Sequence, residues 1–243
     1  MQNKLDINCD LGEGMGSDEA MMPFLDSCNI ACGGHAGDDR SIAATVDQAV
    51  RHGVKVGAHP SYPDRKNFGR KPLEIPFTKL QDSLMDQILR VKESAKNHQI
   101  PLHHIKLHGA LYLESLTNAS LADNLIDFLQ KEFPEQWIYA PFGSAIAQAG
   151  MAKNARITYE VFADRMYLSA SQLLSRTHPR AIITDLTKII EQVSLFVKER
   201  RVKTINGDYH SVKADTICIH GDHPLAVKIA PLVARLTAGT QFP

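Results

Sequence analysis

The sequence predicts an α/β protein, a TIM-like (β/α) barrel with about seven parallel strands. Three observations predict it: seven short apolar runs recur along the chain, longer segments with helical periodicity lie between them, and the chain has 243 residues. Alternating strands and helices indicate parallel strands joined by right-handed crossovers. Seven such units in a chain of this length suit a slightly short or distorted barrel, and a doubly wound open sheet is the structural alternative.

The predicted strands are short and rich in apolar residues, which is typical of strands buried on both faces. In chain order they cover Leu5–Cys9, Cys28–Cys32, Val54–Ala58, His104–Leu107, Trp137–Ala140, Ile157–Phe162 and Thr216–Ile219.

The segments between the strands repeat apolar residues at helical spacing. They include Ser41–His52, Thr78–His98, Leu121–Phe133, Ser144–Ala152, Ala181–Glu199 and Pro224–Leu236. Asp38 and Asp39 can cap the first of these helices and Gly53 ends it, while Pro76 or Thr78 opens the next. Because no low-complexity linker and no fixed-period repeat divides the chain, we expect one barrel domain over residues 1–243.

Charge and cysteine usage narrow the possible functions. The 27 Lys and Arg residues balance the 27 Asp and Glu residues, so no long-range field favours nucleic acid or an anionic membrane. No apolar stretch approaches the roughly 18 residues that span a bilayer, and the first residues lack a signal-peptide pattern. Cysteines 9, 28, 32 and 218 lie in apolar runs and are interpreted as reduced core residues. We therefore expect a cytoplasmic protein that acts on a small molecule.

Polar residues cluster where the predicted strands end. In a (β/α) barrel the carboxyl ends of all strands open on one mouth, where catalytic groups lie. The residues in question are Asn8, Asp10, Glu13, Gly33, Gly34, His35, Asp38, His59, Lys106, His108, Glu160, Asp164, Arg165, His220 and Asp222. For Asp38, Asp39 and Asp222 taken singly, helix capping is the favoured interpretation.

Four of the 11 histidines stand just past a predicted strand, and each is followed by Gly, Ala or Pro. The four are His35, His59, His108 and His220. The helix-end and loop histidines His52, His98 and His178 serve as internal controls. Neutral imidazoles together with carboxylates bind divalent metals, and they also act as general acids and bases near neutral pH.

Lys106 lies among apolar neighbours inside the fourth predicted strand. A buried lysine needs a compensating carboxylate, so Glu160 or Asp10 is expected beside it. The residue pattern leaves two roles open for Lys106: a structural ion pair, or polarisation of a substrate carbonyl or phosphate.

Two long polar segments, residues 61–77 and 164–180, follow strands, and loops of this length commonly carry function. Arg65, Lys66, Arg70 and Lys71 in the first can meet an anion or simply be solvated. Gly33-Gly34, ahead of a helix, can present free amides to an anion. The chain contains neither a Walker A sequence nor G-x-G-x-x-G, so any ATP would bind without these cradles.

The chain resembles the LamB/YcsF family through six ordered motifs. They are Asp6–Gly14, Asn29–Asp38, Gly57–Arg65 with Asn67–Arg70, Lys106–Tyr112, Glu160–Arg165 and Ile219–Asp222. Two departures stand out. Leu107 replaces the proline usual in the fourth motif, and residues 169–180 replace a glycine-containing stretch.

The resemblance implies a barrel related to the glycoside hydrolase and deacetylase group. It also implies ATP-driven opening of 5-oxoproline to L-glutamate by the A component of a 5-oxoprolinase, with ATP as cofactor and 5-oxoprolinase subunits B and C as partners. A divalent metal, in the first instance Mg²⁺, is expected as well. Two other functions stay open: a metal-dependent deacetylase or amidohydrolase without ATP, and a non-catalytic substrate-binding subunit.

The hypothesis for the site assigns roles by group. Asp10, Glu13, His35 and His59 form a base or metal cluster, with Asp10, His35 and His59 as metal ligands. Lys106 and Arg70 handle anionic groups, and His108, Glu160 and His220 complete proton transfer. Substrate or phosphate binding falls to Asn8, Gly33, Gly34, Arg70, Asp164 and Arg165.

Overall fold

The computed structural model describes residues 5–238, so residues 1–4 and 239–243 of the predicted domain lie outside the described part. The strands are β1 (Asp6–Leu11), β2 (Ser27–Ala31), β3 (Lys55–His59), β4 (His104–Ile105), β5 (Trp137–Ala140), β6 (Ile157–Phe162), β7 (Arg201–Lys203), β8 (Tyr209–Ser211) and β9 (Thr216–His220). Seven of them form a closed parallel barrel in the order β1-β2-β3-β4-β5-β6-β9, and β9 pairs back onto β1. The predicted barrel is confirmed, and the open sheet is wrong.

Helices surround the barrel. They are α1 (Asp18–Met21), α2 (Asp39–His52), α3 (Phe77–Asn97), α4 (Gly109–Ser115), α5 (Ala119–Glu132), α6 (Ala145–Ala152), α7 (Leu186–Ser194) and α8 (Ala226–Thr237). The predicted ends of α2 are confirmed. Asp38 accepts a hydrogen bond from the Ser41 amide, and Gly53 ends the helix at a φ of 67°.

Two predicted elements differ from those observed. The fourth strand ends at Ile105 instead of Leu107. The helix predicted over Ala181–Glu199 begins only at Leu186, because the backbone of residues 181–183 pairs with residues 164–166 across the loop. After α7 the chain forms a π-helical turn at Leu195–Glu199. The antiparallel β7–β8 hairpin and the short helix α4 were not predicted from the sequence.

Polar side chains share levels inside the barrel because neighbouring strands are paired in register. Asp10 on β1 is level with Asn29 on β2 and with His220 on β9. Asn29 is level with Gly57 on β3, which is level with His104 on β4. A Cβ atom at Gly57 would overlap the His104 imidazole, so glycine makes room for this ring to cross the interior.

The apolar core lies between the strands and the helices. Along β1, for example, Ile7, Cys9 and Leu11 are fully buried and alternate with the polar residues that face the interior. All four cysteines are buried and free, which confirms their predicted place in the core. Within residues 5–238, no helix is both long enough and apolar enough to cross a membrane.

Candidate active site at the barrel mouth

Lys106 is the centre of a buried ion cluster inside the barrel mouth. Its Nζ lies 3.0 Å from Asp10 Oδ1 and 2.9 Å from Glu160 Oε1. The Cys218 Sγ lies 3.0 Å from the same nitrogen, and the Phe162 ring centroid lies 5.2 Å away. Both carboxylates expected beside Lys106 therefore contact it and compensate its buried charge.

The same contacts fix the charges of this cluster. Burial lowers the pKa of Lys106, but Asp10 and Glu160 raise it, and the net pKa lies well above its ordinary value. Burial alone would raise the pKa of Asp10. The nearby His59 and Lys106 outweigh this effect and hold the pKa well below its usual range. The Lys106 ammonium and the Asp10 carboxylate are consequently both charged at neutral pH.

Two further side chains support Asp10 from within the barrel. Asn29 Nδ2 donates to Asp10 Oδ1 and to Asn8 Oδ1, each over 2.8 Å. Because a carboxylate only accepts, the Asn29 amide nitrogen must face Asp10, and Asn29 Oδ1 accepts from His104 Nε2 over 2.7 Å. The sequence alone did not indicate Asn29 or His104 as site residues, because neither stands at the carboxyl end of a predicted strand.

A histidine cluster lies next to Asp10. His59 Nε2 lies 3.0 Å from His108 Nδ1 and 3.5 Å from Asp10 Oδ2. His35 Nε2 lies 3.1 Å from Glu13 Oε1, which is also 3.6 Å from His108 Nδ1. These side chains come from the ends of four different strands, and the barrel brings them into one group.

Backbone carbonyls fix the tautomers of two of these histidines. His59 Nδ1 lies 2.8 Å from the Lys106 carbonyl oxygen, and His108 Nε2 lies 3.0 Å from that of Phe68. A carbonyl only accepts, so these ring nitrogens carry the hydrogens. In the neutral rings, His59 Nε2 and His108 Nδ1 then face each other with unshared lone pairs. That arrangement is stable when a proton or a cation lies between the two nitrogens.

The loop after β3 is held against the beginning of α4. The Ala110 amide donates to the Gly69 carbonyl over 2.8 Å. Gly109 has a φ of 58°, and a Cβ atom there would overlap the same carbonyl, so the close approach requires glycine. The segment that carries Phe68 and Arg70 is thereby fixed to the barrel mouth.

The donor atoms of Glu13, His35, His59 and His108 lie within 4.8 Å of one another, which fits a bound metal ion. His35 Nδ1 is buried and has no hydrogen-bond partner among the described residues. The predicted ligands are divided between two groups, because Asp10 belongs to a second group with Cys218 and His220. That second group already contains a cation, since Lys106 contacts both Asp10 and Cys218.

Asp164 orients His220. Its carboxylate accepts from the His220 amide over 2.9 Å and lies 2.8 Å from His220 Nδ1. Burial alone would raise the pKa of Asp164, but the contacts with His220 outweigh this effect and lower the pKa to about 2. The Asp164 carboxylate is therefore charged and already bound, which leaves His220 as the group that faces the mouth.

A cavity of about 330 Å³ opens above these groups. Asp10, His59, Lys106, His108 and His220 are the polar lining residues that come from the strand ends. The other lining residues are Arg70, Leu107, Gly109, Ala110, Tyr112, Leu113, Phe162, Arg165, Leu173, Ser175, Arg176 and Thr177. The cavity is thus polar on one side and partly apolar on another, and it carries several arginines.

Two arginines of the cavity share one carboxylate. Arg70 Nη2 and Arg176 Nη1 both donate to Asp222 Oδ2, the second over 3.0 Å. The third, Arg165, donates to the carbonyl oxygens of Ala181 and Leu174 and so braces the loop that carries Arg176. Burial, with Arg176 nearby, lowers the pKa of Arg165 to about 10, at which it is still charged near neutral pH.

Comparison with known proteins places this barrel in a family. The sequence profile of the LamB/YcsF family matches residues 5–241. The chain belongs to this family. The resemblance found in the six sequence motifs is therefore confirmed.

LamB/YcsF relatives match over nearly their full lengths. The chain is 39% identical to the A component of 5-oxoprolinase from Tolumonas auensis, over 98% of each chain. It is 40% identical to the A component of 5-oxoprolinase from Bordetella pertussis, over 95% of this chain and 93% of that one. Among solved structures, the lactam utilization protein of Thermus thermophilus is 33% identical and superimposes with a TM-score of 0.88, covering 98% of each chain.

The six LamB/YcsF motifs do meet at one mouth, but their residues divide into two groups. Of the eight catalytic candidates, Asp10, His59, Lys106, His108 and His220 line the cavity. Glu13, His35 and Glu160 do not line the cavity. Glu160 contacts Lys106, and Glu13 contacts both His35 and His108. Tyr112 was not predicted, yet it lines the cavity and donates to Glu160 Oε2 over 2.9 Å.

Only two of the six residues predicted to bind substrate or phosphate line the cavity. Arg70 and Arg165 line the cavity, but Asn8 donates to Glu160 and Thr216 deep inside the barrel. Asp164 is bound to His220, as described above.

The prediction of free glycine amides is wrong for Gly33, because its N–H donates to the Ala36 carbonyl over 2.7 Å. A Cβ atom at Gly34 would overlap Gln87 and Ser61, so this glycine serves packing. Neither glycine lines the cavity of the LamB/YcsF barrel.

Proposed function

We propose that this chain is the A component of a 5-oxoprolinase and that its barrel mouth opens the lactam ring of 5-oxoproline to give L-glutamate, coupled to ATP hydrolysis. The relatives that carry the 5-oxoprolinase name support the role, and the lactam utilization protein supports the class of substrate. The observation that carries the proposal is the cavity of about 330 Å³ with Asp10, Lys106 and two of the clustered histidines in its wall. That volume lies at the lower end of the range of about 300–1,000 Å³ for ligand pockets, which suits a small cyclic amide.

The chemistry requires activation because a five-membered lactam is a stable amide. ATP transfers its terminal phosphoryl group to the lactam oxygen, which gives an imidate phosphate and ADP. Water attacks the activated carbon, the carbon–nitrogen bond breaks, and the nitrogen takes up a proton, which leaves γ-glutamyl phosphate. A second water releases phosphate and forms the side-chain carboxylate of glutamate.

Residues of the mouth supply the proton transfers and the charge for these steps. Burial lowers the pKa of His108, and its neighbours His35 and His59 lower it further, so its ring is neutral at pH 7. When no metal ion is bound to the histidine cluster, the lone pair on His108 Nδ1 is able to accept a proton from water. Lys106 carries a fixed positive charge at the cavity wall, where it stabilises an oxygen that becomes negative. His220, oriented by Asp164, is placed to return a proton to the leaving nitrogen.

A metal ion fits the histidine cluster. Glu13, His35, His59 and His108 would hold it, and three imidazoles with one carboxylate suit Zn²⁺ or another transition ion better than the Mg²⁺ expected from the sequence. Such an ion, when bound, acidifies a water molecule and polarises a carbonyl. The hydrogen bonds from His59 and His108 to backbone carbonyls are the kind of support that metal-binding histidines usually have.

The test is glutamate production from 5-oxoproline by the purified chain, with and without ATP and the partner subunits B and C. We expect turnover only in the complete mixture. His59→Ala should lower it by about 10²–10⁴-fold, while His52→Ala, an exposed histidine at the end of α2, should leave it unchanged. Full activity of the His59→Ala complex would contradict the assignment of the site.

The four-donor cluster favours one second candidate, a metal-dependent amide hydrolase that needs no nucleotide. This function predicts that the chain alone hydrolyses an amide or acetyl substrate in the presence of Zn²⁺ and loses the activity with a chelator. The first proposal predicts no glutamate from 5-oxoproline without ATP under the same conditions.

A further inference from the structure

The loop at residues 164–180 carries a group of polar side chains to the rim of the cavity. Ser175, Arg176 and Thr177 are consecutive, and all three line the cavity. The Ser175 and Thr177 hydroxyls lie 2.9 Å apart. Arg176 lies in a long loop without strand or helix periodicity, so the sequence alone did not indicate it as a site residue.

The rim of the cavity, formed by Arg70, Arg176 and Asp222, carries two positive charges and one negative charge. Arg70 and Arg176 both donate to a single oxygen of Asp222, and each guanidinium has five N–H donors. Arg70 also lies over the Phe68 ring, with its central carbon 4.7 Å from the ring centroid. The contacts of the described residues therefore leave most of the donors of both arginines available, with one net positive charge between them.

The remainder of the cavity lining orients a ligand. Asp10, His59 and Lys106 line the cavity from the ends of barrel strands, Phe162 and Leu173 add apolar surface, and Arg70 and Arg176 line it from two loops. A ligand that satisfies all three parts has a reactive polar group at one end, a small apolar body, and an anionic group at the other end. Planar guanidinium groups suit a carboxylate or a phosphate in particular.

We propose that Arg176, together with Arg70, binds the carboxylate of the cyclic amide acid and selects acids over neutral lactams. This inference rests on the proposed function, and it makes Arg176 a specificity-determining residue. Ser175 and Thr177 add hydroxyl donors beside the same carboxylate. The free energy of this contact is present in the ground state as well as the transition state, so its loss raises KM more than it lowers kcat.

The kinetic test compares Arg176→Gln with Arg180→Gln in the assembled complex. Arg180 is an exposed arginine of the same loop that does not line the cavity, so both variants remove one charge from one segment. We expect Arg176→Gln to raise KM for 5-oxoproline by about 10- to 100-fold, with kcat changed far less, and Arg176→Lys to restore part of the loss. Arg180→Gln should retain the original KM.

The selectivity test uses 2-pyrrolidone, the same ring without the carboxylate. The unmodified complex should discriminate strongly against it, and Arg176→Gln should lower that discrimination by the same factor by which it raises KM for the acid. Equal KM values for 5-oxoproline in Arg176→Gln and the unmodified complex would overturn the inference.

A binding measurement separates this inference from the proposed function. Thermal stability of the chain is followed in rising acetate or inorganic phosphate, at an ionic strength held constant with chloride. We expect stabilisation that Arg176→Gln abolishes and Arg180→Gln retains. Acetate as the better ligand indicates a carboxylate site, and phosphate as the better one shifts the assignment to a phosphoryl group and overturns the carboxylate. Anion binding without glutamate formation would refute the proposed function alone, and identical responses in both variants would refute the rim site alone.

Discussion

His104 Nε2 lies 2.7 Å from Asn29 Oδ1, and this contact links the interior of the barrel to the charged residues at its mouth. The contact with His104 fixes the orientation of the Asn29 amide, whose nitrogen in turn donates to Asp10. Asp10 in turn contacts Lys106 and lies next to His59. The orientation of the Asp10 carboxylate thus depends on Asn29 and His104, two uncharged residues that do not line the cavity.

Asn29→Ala should impair both stability and turnover. The change leaves buried polar groups on His104 and Asp10 without a partner, which costs about 1–3 kcal/mol. We expect a fall of that size in the free energy of unfolding in urea, and a fall in kcat rather than a rise in KM. Asn124→Ala, at an exposed position of α5, is the control and should change neither quantity.

Stability should decrease as the pH falls below about 6.5, and His104 should account for part of this decrease. Burial lowers the pKa of His104 well below its ordinary value, and His103 and Lys106 lower it further. The unfolded chain therefore takes up a proton first, so the stabilisation is complete above the unfolded pKa and is lost as the pH falls towards the folded pKa. One such group contributes at most about 1.4 kcal/mol per pH unit.

The measurement is urea unfolding at a series of pH values for the unmodified chain, His104→Gln and the exposed control His52→Gln. His104→Gln retains a donor for Asn29 but cannot be protonated, so its stability should fall less steeply with decreasing pH. Parallel curves for all three proteins would contradict the assignment.

Lys106→Met should destabilise the fold by about 3–5 kcal/mol, because it leaves Asp10 and Glu160 as buried carboxylates without a counter-charge. Lys131→Met removes the same charge from a side chain that is 80% exposed, and it should change stability by less than about 0.5 kcal/mol. Chemical denaturation of both variants is the test. Comparable small effects would show that the buried ion cluster does not bear on stability.

The chain, freed of metal with a chelator and dialysed, should bind one Zn²⁺ in calorimetric titration. His35→Ala and His108→Ala each remove a ligand of the proposed set, and each should weaken binding more than about tenfold. His52→Ala should bind as the unmodified chain does. Unchanged affinity in both cluster variants would place any bound zinc elsewhere.

Gly57→Ala and His104→Ala should interact. The first variant forces a methyl group into the imidazole and costs about 1–3 kcal/mol, whereas the second leaves space next to Gly57. In the double variant the methyl group occupies that space, so its destabilisation should be at least about 1 kcal/mol less than the sum of the single effects. Strict additivity in urea unfolding would show that the two residues are not in contact.

Strand periodicity and the places where strands end were sufficient to predict the barrel and the charged part of its mouth. Residues such as Asp10, His59 and Lys106 stand out because they are polar at the end of an apolar run, which is a local signal. The partners of Lys106 followed from the cost of burying an unpaired charge.

The remaining features depend on contacts that are distant along the chain. Asn29 lies in mid-strand and His104 begins a strand, so their roles emerge only when the pairing of the barrel strands sets them at one level. Arg176 lies in a loop without periodicity, and its place depends on the bracing of that loop by Arg165. The late start of α7 likewise follows from the tertiary pairing of residues 181–183 with residues 164–166, which overrides local propensity.

Arg70 and Arg176 lie on backbone segments that are held in place by different contacts. Arg70 follows Gly69, whose carbonyl is bonded to the start of α4, so this side of the rim cannot be altered without disturbing the histidine cluster. Arg176 belongs to a loop whose backbone pairs largely with itself, as between Leu174 and Met166. For protein engineering, residues 168–180 are therefore the better place to exchange sequence, and the segment around Gly69 is the part of the rim that a graft should leave intact.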